Sequence, residues 1–274
     1  MTQNGPIGIF DSGVGGLTVA REIFKNLPGE NVVYFGDVGR TPYGGRSKEI
    51  IFEFTRQDIA FLVERKVKFI ICACNTASSV ALNELKKEYP IEMIGVIEPG
   101  AKTAVQKTKN GKIGIIGTNA TIGSNAYAKY IHAINPDLKV FSLACPLFVP
   151  LAEEAYINKD ATYLIARDYL QTMLDVEIDT LVLGCTHYPL LKHIIQEIVG
   201  ENVKLIDSGE ETAKEVVGKL TESNLLNPQV ETDITAVGKH SYYVSDVPER
   251  FEKVASYFLG QVVDNITRVD ISKY

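Results

Sequence analysis

No stretch of this 274-residue chain stays apolar for the length that a membrane-spanning helix requires, so a helical membrane protein is not expected. The opening Met1-Thr2-Gln3-Asn4-Gly5 lacks the basic stretch and apolar segment of a secretory leader, and a cytoplasmic protein is expected. Cysteine is scarce, with four residues, too few in a chain of this size and without a leader for a disulfide framework. Free thiols are expected instead. Positive charge is not in excess: the formal net charge is -6, and lysines and arginines are scattered, which leaves no footprint for a nucleic acid and points to a small-molecule partner. There is no C-x-x-C pair for redox chemistry. One C-x-C and one C-x-H, with no second structural pair, fall short of a zinc site, so no metal is expected.

A hydrophobic content of 45% with 23% charged residues is ordinary for a globular protein, and the length suits two domains with separate cores. Apolar runs bounded by turn residues alternate with amphipathic stretches, as in βαβ units around parallel sheets. One series of strands is expected at 7–11, 32–37, 68–74 and 91–96, with a helix over 49–64. A second is expected at 112–118, 138–143, 180–185 and 203–207, with helices over 124–133 and 160–174. Gly5-Pro6-Ile7-Gly8-Ile9 matches Gly111-Lys112-Ile113-Gly114-Ile115, and each precedes, at a similar distance, a strand that ends in cysteine. The expected fold is therefore α/β: two pseudo-symmetric, doubly wound domains with mainly parallel sheets and a site in the cleft between them. Residues 1–97 and 208–274 would form the first domain and 98–207 the second. The C-terminal stretch, with a helix over 210–220 and a strand over 240–245, is expected to return to the first.

Two segments carry the chemistry. Phe69-Ile70-Ile71-Cys72-Ala73-Cys74-Asn75-Thr76 and Thr180-Leu181-Val182-Leu183-Gly184-Cys185-Thr186-His187 each close a buried strand on a cysteine with polar neighbours. The carboxyl ends of parallel strands are where open sheets bind ligands. Thiols facing one cavity from opposite sides could remove a proton from one face of a carbon and return one to the other, which is the chemistry of a cofactor-independent racemase. A thiol, with a pKa of about 8.5, needs a base or an electropositive setting before it acts. His187 and nearby acids can supply the base, and Asn75, Thr76 and Thr186 are donors for substrate carboxylates. Cys72 lies inside its apolar run and Cys145 precedes Pro146, so both read as packing. His132, His193 and His240 have no motif around them. The turn Asp11-Ser12-Gly13-Val14-Gly15-Gly16 opens a helix whose backbone amides suit a carboxylate or phosphate. It misses the third glycine of the dinucleotide fingerprint, where Thr18 stands, so no nucleotide is expected.

Five motifs in order, Asp11-Ser12-Gly13-Val14-Gly15-Gly16-Leu17-Thr18, Thr41-Pro42-Tyr43-Gly44, Ala73-Cys74-Asn75-Thr76-Ala77-Ser78, Thr118-Asn119-Ala120-Thr121 and Gly184-Cys185-Thr186-His187-Tyr188-Pro189, resemble the glutamate racemases of bacterial cell-wall synthesis. The resemblance covers nearly the whole chain. It implies interconversion of L- and D-glutamate, with D-glutamate supplied to peptidoglycan, by a homodimer without pyridoxal phosphate, metal or nucleotide. Cys74 would be the base toward D-glutamate, assisted by Asp11. Cys185 would be the base toward L-glutamate, assisted by His187 and Glu153; Glu154 follows directly, so a one-residue shift would exchange the two glutamates. Asp11, Ser12, Tyr43, Gly44, Asn75, Thr76, Thr118, Thr121, Thr186 and His187 would line the substrate pocket. The competing expectation is a non-catalytic bilobal protein that binds a small carboxylate. Such a binder has no need of the second cysteine.

Overall fold

The computed structural model describes residues 3–228, 237–263 and 265–274. The described strands are β1 (Ile7–Asp11), β2 (Val32–Gly36), β3 (Phe69–Cys72), β4 (Met93–Gly95), β5 (Lys112–Gly117), β6 (Lys139–Ala144), β7 (Thr180–Gly184), β8 (Lys204–Asp207), β9 (His240–Val244) and β10 (Ile266–Arg268). They form two sheets, in the orders β10-β9-β2-β1-β3-β4 and β6-β5-β7-β8. Every ladder is parallel. Apart from β9 and β10, the two orders are the same, so the repeated α/β unit expected from the sequence is visible in the topology. The strand expected over 240–245 is β9, which pairs with β2 in the first sheet.

The residues of β1, β2, β3 and β7 are all buried, which is why they read as unbroken apolar runs rather than as alternating ones. Along β1, Ile7 and Ile9 face one core cluster while Phe10 faces another on the opposite side of the sheet. The matched glycines have a packing reason. A Cβ on Gly8 would meet Leu62 and Val67 at 3.1 Å, and one on Gly114 would meet Ile178 at 2.7 Å and Leu181 at 2.9 Å. In each half the central strand thus gives up a side chain so that the residues leading into the cysteine-ending strand can pack against it.

The helices Lys48–Glu64 and Asp160–Asp175 run nearly as expected, the first capped by Ser47, whose hydroxyl accepts from the Ile50 amide. The helix expected over 124–133 is instead two, Asn119–Ser124 and Ala126–Ile134, broken at Asn125, which lies in the left-handed region at φ 57°. Asparagine tolerates that conformation better than most residues, and its place inside an otherwise helical pattern conceals the break. The helix Pro248–Leu259 and the three-residue strand β10 were not expected from the sequence.

Candidate active site

The register aligns the carboxyl ends of the strands: Asp11 stands opposite Gly36, Phe10 opposite Cys72, and Gly117 opposite Gly184. The loops that leave these ends carry the polar residues, and the two sheets turn them toward one another. Cys74 is the N-cap of the short helix Asn75–Val80, its sulfur accepting from the Ala77 amide at 3.5 Å and lying 3.6 Å from Ser12 Oγ. Thr118 caps Asn119–Ser124 in the same way, its hydroxyl accepting from the Thr121 amide at 3.2 Å. Each site loop is thus a helix start whose cap side chain is also a wall of the cleft.

Direct contacts tie the two halves together. Thr76 Oγ1 is 2.9 Å from Thr118 Oγ1, and Thr121 Oγ1 lies behind the pair at 3.4 Å and 3.0 Å. The Thr18 hydroxyl donates to the Thr186 carbonyl at 2.9 Å. A Cβ on Gly15 would lie 2.3 Å from Thr186 Oγ1 and 2.6 Å from the His187 ring. Only glycine there lets the Asp-Ser turn close on the Cys-Thr-His turn. Ser12, Tyr43, Gly44, Cys74, Asn75, Thr76, Thr118, Cys185, Thr186 and His187 surround one small cavity of about 20 Å³, together with Thr41, Pro42 and Val149. That is room for about one water molecule.

Both thiols on this cavity are buried and free. Cys74 is pushed up to about 12, first by burial and then by the charge of Asp11, against the pull of the Ala77 amide and the Ser12 hydroxyl. It is a thiol at neutral pH. Asp11 is fully buried, with one carboxylate oxygen accepting from the Gly13 amide at 3.0 Å. Burial raises its pKa, while His187 and the backbone amides of Gly16 and Gly13 pull the other way. Cys185 Sγ lies 3.7 Å from His187 Nδ1, and His187 Nε2 lies 3.0 Å from Glu153 Oε1. Burial alone would lower His187, but the hydrogen bonds to Cys185 and Glu153 outweigh it and lift the imidazole to about 10. An imidazolium therefore stands beside Cys185.

Asn75 adds a donor. Its Oδ1 accepts from the Tyr127 hydroxyl at 2.7 Å, while its buried Nδ2 has no hydrogen-bond partner among the described residues. A buried orphan donor on a cavity wall is left for a ligand acceptor. Tyr43 behaves differently, since its hydroxyl is engaged by Asp37 and Asp58 behind the cavity wall. Asp11 and Thr121 sit behind the wall, and Glu153 reaches the site through His187. Cys72 and Cys145 belong to the cores, as expected. Sequence reasoning gave no role to Thr18, although it ends the first motif, and missed Tyr127 and Val149. Nothing in the local pattern marks Tyr127 or Val149, because the first acts through a contact 52 residues away and the second through the cavity shape.

Residues 46–216 match the family model described as Asp/Glu/Hydantoin racemase. A glutamate racemase of Geobacter metallireducens is 50% identical over 265 residues, covering 97% of this chain and 96% of the relative. The crystal structure of a glutamate racemase isoform from Bacillus anthracis superposes with a TM-score of 0.92 at 40% identity, over 97% of each chain. The glutamate racemase of Francisella tularensis, solved in complex with D-glutamate, superposes with a TM-score of 0.91 at 39% identity, over 99% of this chain and 100% of that one. Two sheets of like topology, a cleft with a thiol on each side and these full-length likenesses place the chain in the Asp/Glu/hydantoin racemase family, among its glutamate racemases.

Proposed function

We propose that this glutamate racemase moves protons with two thiols, one on each side of the bound amino acid. The observation that carries the reading is that Cys74, after β3 of one sheet, and Cys185, after β7 of the other, line the same cavity. In the direction from L-glutamate, the Cys185 thiolate takes the α-proton and Cys74, a thiol in the resting enzyme, gives its own proton to the opposite face. The Cys74 thiolate and Cys185 thiol that result carry out the reverse reaction from D-glutamate. His187, held by Glu153, keeps a positive charge beside Cys185, and Asp11 acts on Cys74. The α-proton is far less acidic than a thiol, so the intermediate carbanion depends on fixed donors and exclusion of water. Asn75 Nδ2, the hydroxyls of Ser12, Thr76, Thr118 and Thr186, and the backbone around Tyr43 and Gly44 are the donors for the substrate carboxylates.

The wider reading has residues 1–97 with 208–274 as one domain and 98–207 as the other, opening as two bodies to admit glutamate. It also has a cytoplasmic homodimer that supplies D-glutamate to peptidoglycan. Circular dichroism of L-glutamate mixed with the protein, with and without a chelator and with no added cofactor, tests the activity. Decay of the signal to zero in both samples is expected. A flat trace at high protein concentration refutes the reading, and loss of activity only with chelator assigns the chemistry to a metal instead.

A further inference from the structure

Behind the turn Tyr43–Gly45 lies a buried polar cluster that the proton transfers do not use. Asp37 follows β2 and Asp58 sits within the helix Lys48–Glu64, and both side chains are fully buried. The Tyr43 hydroxyl stands between them, hydrogen-bonded to Asp37 Oδ2 and 2.9 Å from Asp58 Oδ2. Arg40 Nε donates to the same Asp37 oxygen at 2.6 Å, and its Nη2 reaches Asp58 Oδ1 at 3.3 Å. The guanidinium also donates to Gln57 Oε1 and lies 4.0 Å above the Phe54 ring.

The number of protons limits who can donate. A phenol has one proton and can give it to one carboxylate only, so the second oxygen in contact must donate to the phenol, which a carboxylate cannot do. One of the two acids is therefore neutral. Arg40 is closer to Asp37, at 2.6 Å, than to Asp58, at 3.3 Å, so the proton is assigned to Asp58, the acid with the weaker contact to the cation. The chain then runs from the Asp58 O–H to the Tyr43 oxygen, and from the Tyr43 O–H to Asp37, with Arg40 closing it on both. One cation faces one anion, and no buried charge is left unpaired. Burial, followed by the charge of Asp37, pushes the Asp58 carboxyl well up, with Arg40 opposing and Asp11 on β1 adding to it.

The far side of Tyr43 is the cleft. A Cβ on Gly44 would meet Thr118 Cβ at 2.7 Å, so the turn presses directly on the other half of the site. Thr118 in turn holds Thr76. We propose that Asp37, Arg40 and a neutral Asp58 are positioning residues that hold Tyr43, and through it the Gly44 wall, at the place where glutamate binds. The inference rests on the racemase reading and adds to it the residues that set one wall of the pocket.

The test compares Asp58→Asn, Asp58→Leu and Tyr43→Phe with the wild type. An amide donates and accepts where the neutral acid does, so Asp58→Asn should keep KM for both enantiomers within about twofold. Asp58→Leu and Tyr43→Phe should raise KM for both enantiomers about tenfold, with a smaller change in kcat. Infrared spectra at neutral pH should show the carbonyl band of a protonated carboxyl in the wild type and its loss in Asp58→Asn. Asp58→Asn as impaired as Asp58→Leu, or an unchanged infrared band, would overturn the proton assignment. Tyr43→Phe with a lowered melting temperature and unaltered KM would make the cluster merely structural. A wild type that fails to racemise glutamate would refute the racemase reading instead, while the infrared band still reports the proton.

Discussion

Replacing Glu153 with glutamine isolates the support that Cys185 receives through His187. Glu153 Oε1 is 3.0 Å from His187 Nε2, and its side chain is 24% exposed against 5% for the histidine. Hydrogen bonds to charged partners contribute roughly 1.5–3 kcal/mol, and partial exposure of the glutamate argues for about 2 kcal/mol here. If that support is needed in the transition state, kcat/KM falls roughly thirtyfold. The fall must be equal from L- and from D-glutamate, since enantiomers have an equilibrium constant of one. Hydrogen exchange need not be equal. Cys74 still removes the α-proton of D-glutamate, so solvent exchange into unreacted D-glutamate should outlast racemisation in the variant. The pH dependence shifts as well. His187 is raised from 6.5 to about 10, so its charge supports the folded site fully below pH 6.5 and that support fades as pH rises through about 10. Without Glu153 the fading begins at lower pH, and the alkaline limb of the rate profile should move the same way. Rates followed by circular dichroism, with exchange followed by proton NMR in deuterium oxide, read both effects. Glu153→Gln with unchanged kcat/KM and an unmoved alkaline limb would refute the relay from Glu153 to Cys185.

Cys74→Ala and Cys185→Ala should each abolish racemisation with the fold intact, whereas Cys72→Ala and Cys145→Ala keep most of it; a Cys72→Ala protein as inactive as Cys74→Ala, with unchanged secondary structure, would place the wrong thiol in the site. In deuterium oxide, early product from either enantiomer should carry solvent deuterium at the α-carbon almost fully while remaining substrate stays mostly unlabelled. Retained hydrogen in early product would favour a single base that swings between faces. Lys68 is fully buried, 2.6 Å from Glu30 Oε2, and donates to the Gln3 carbonyl at 2.7 Å. Lys68→Met strands the glutamate and should cost roughly 3–5 kcal/mol in urea unfolding. A loss under 1 kcal/mol, on the scale of an exposed pair, would show that the buried pair contributes little.

Local pattern was enough wherever the physics is local. Buried parallel strands must be apolar along their whole length, so β1, β2, β3, β4 and β7 could be read directly, and the repeated Gly-x-Ile-Gly-Ile marked the two central strands because each must leave room for what packs on it. The same holds for residues just past strand ends, where parallel topology leaves loops at one edge, and this is why both Cys-ending segments could be singled out. Asn125 shows the limit of such reading. A single left-handed residue splits a helix whose apolar period continues unbroken across it.

The cleft itself depends on distance in space. That Tyr127 holds Asn75 Oδ1, how Gly15 meets His187, and that Tyr43 turns its hydroxyl away from the cavity toward Asp37 and Asp58 are contacts that no local pattern displays. The charge on His187 is of the same kind, since it follows from burial set against Cys185 and Glu153. Residue types and spacing determine which groups are present and which strand ends carry them. Hydrogen bonding and desolvation, which act over a few ångströms whatever the sequence separation, determine which of those groups hold a proton, and they exist only once the two sheets have come together.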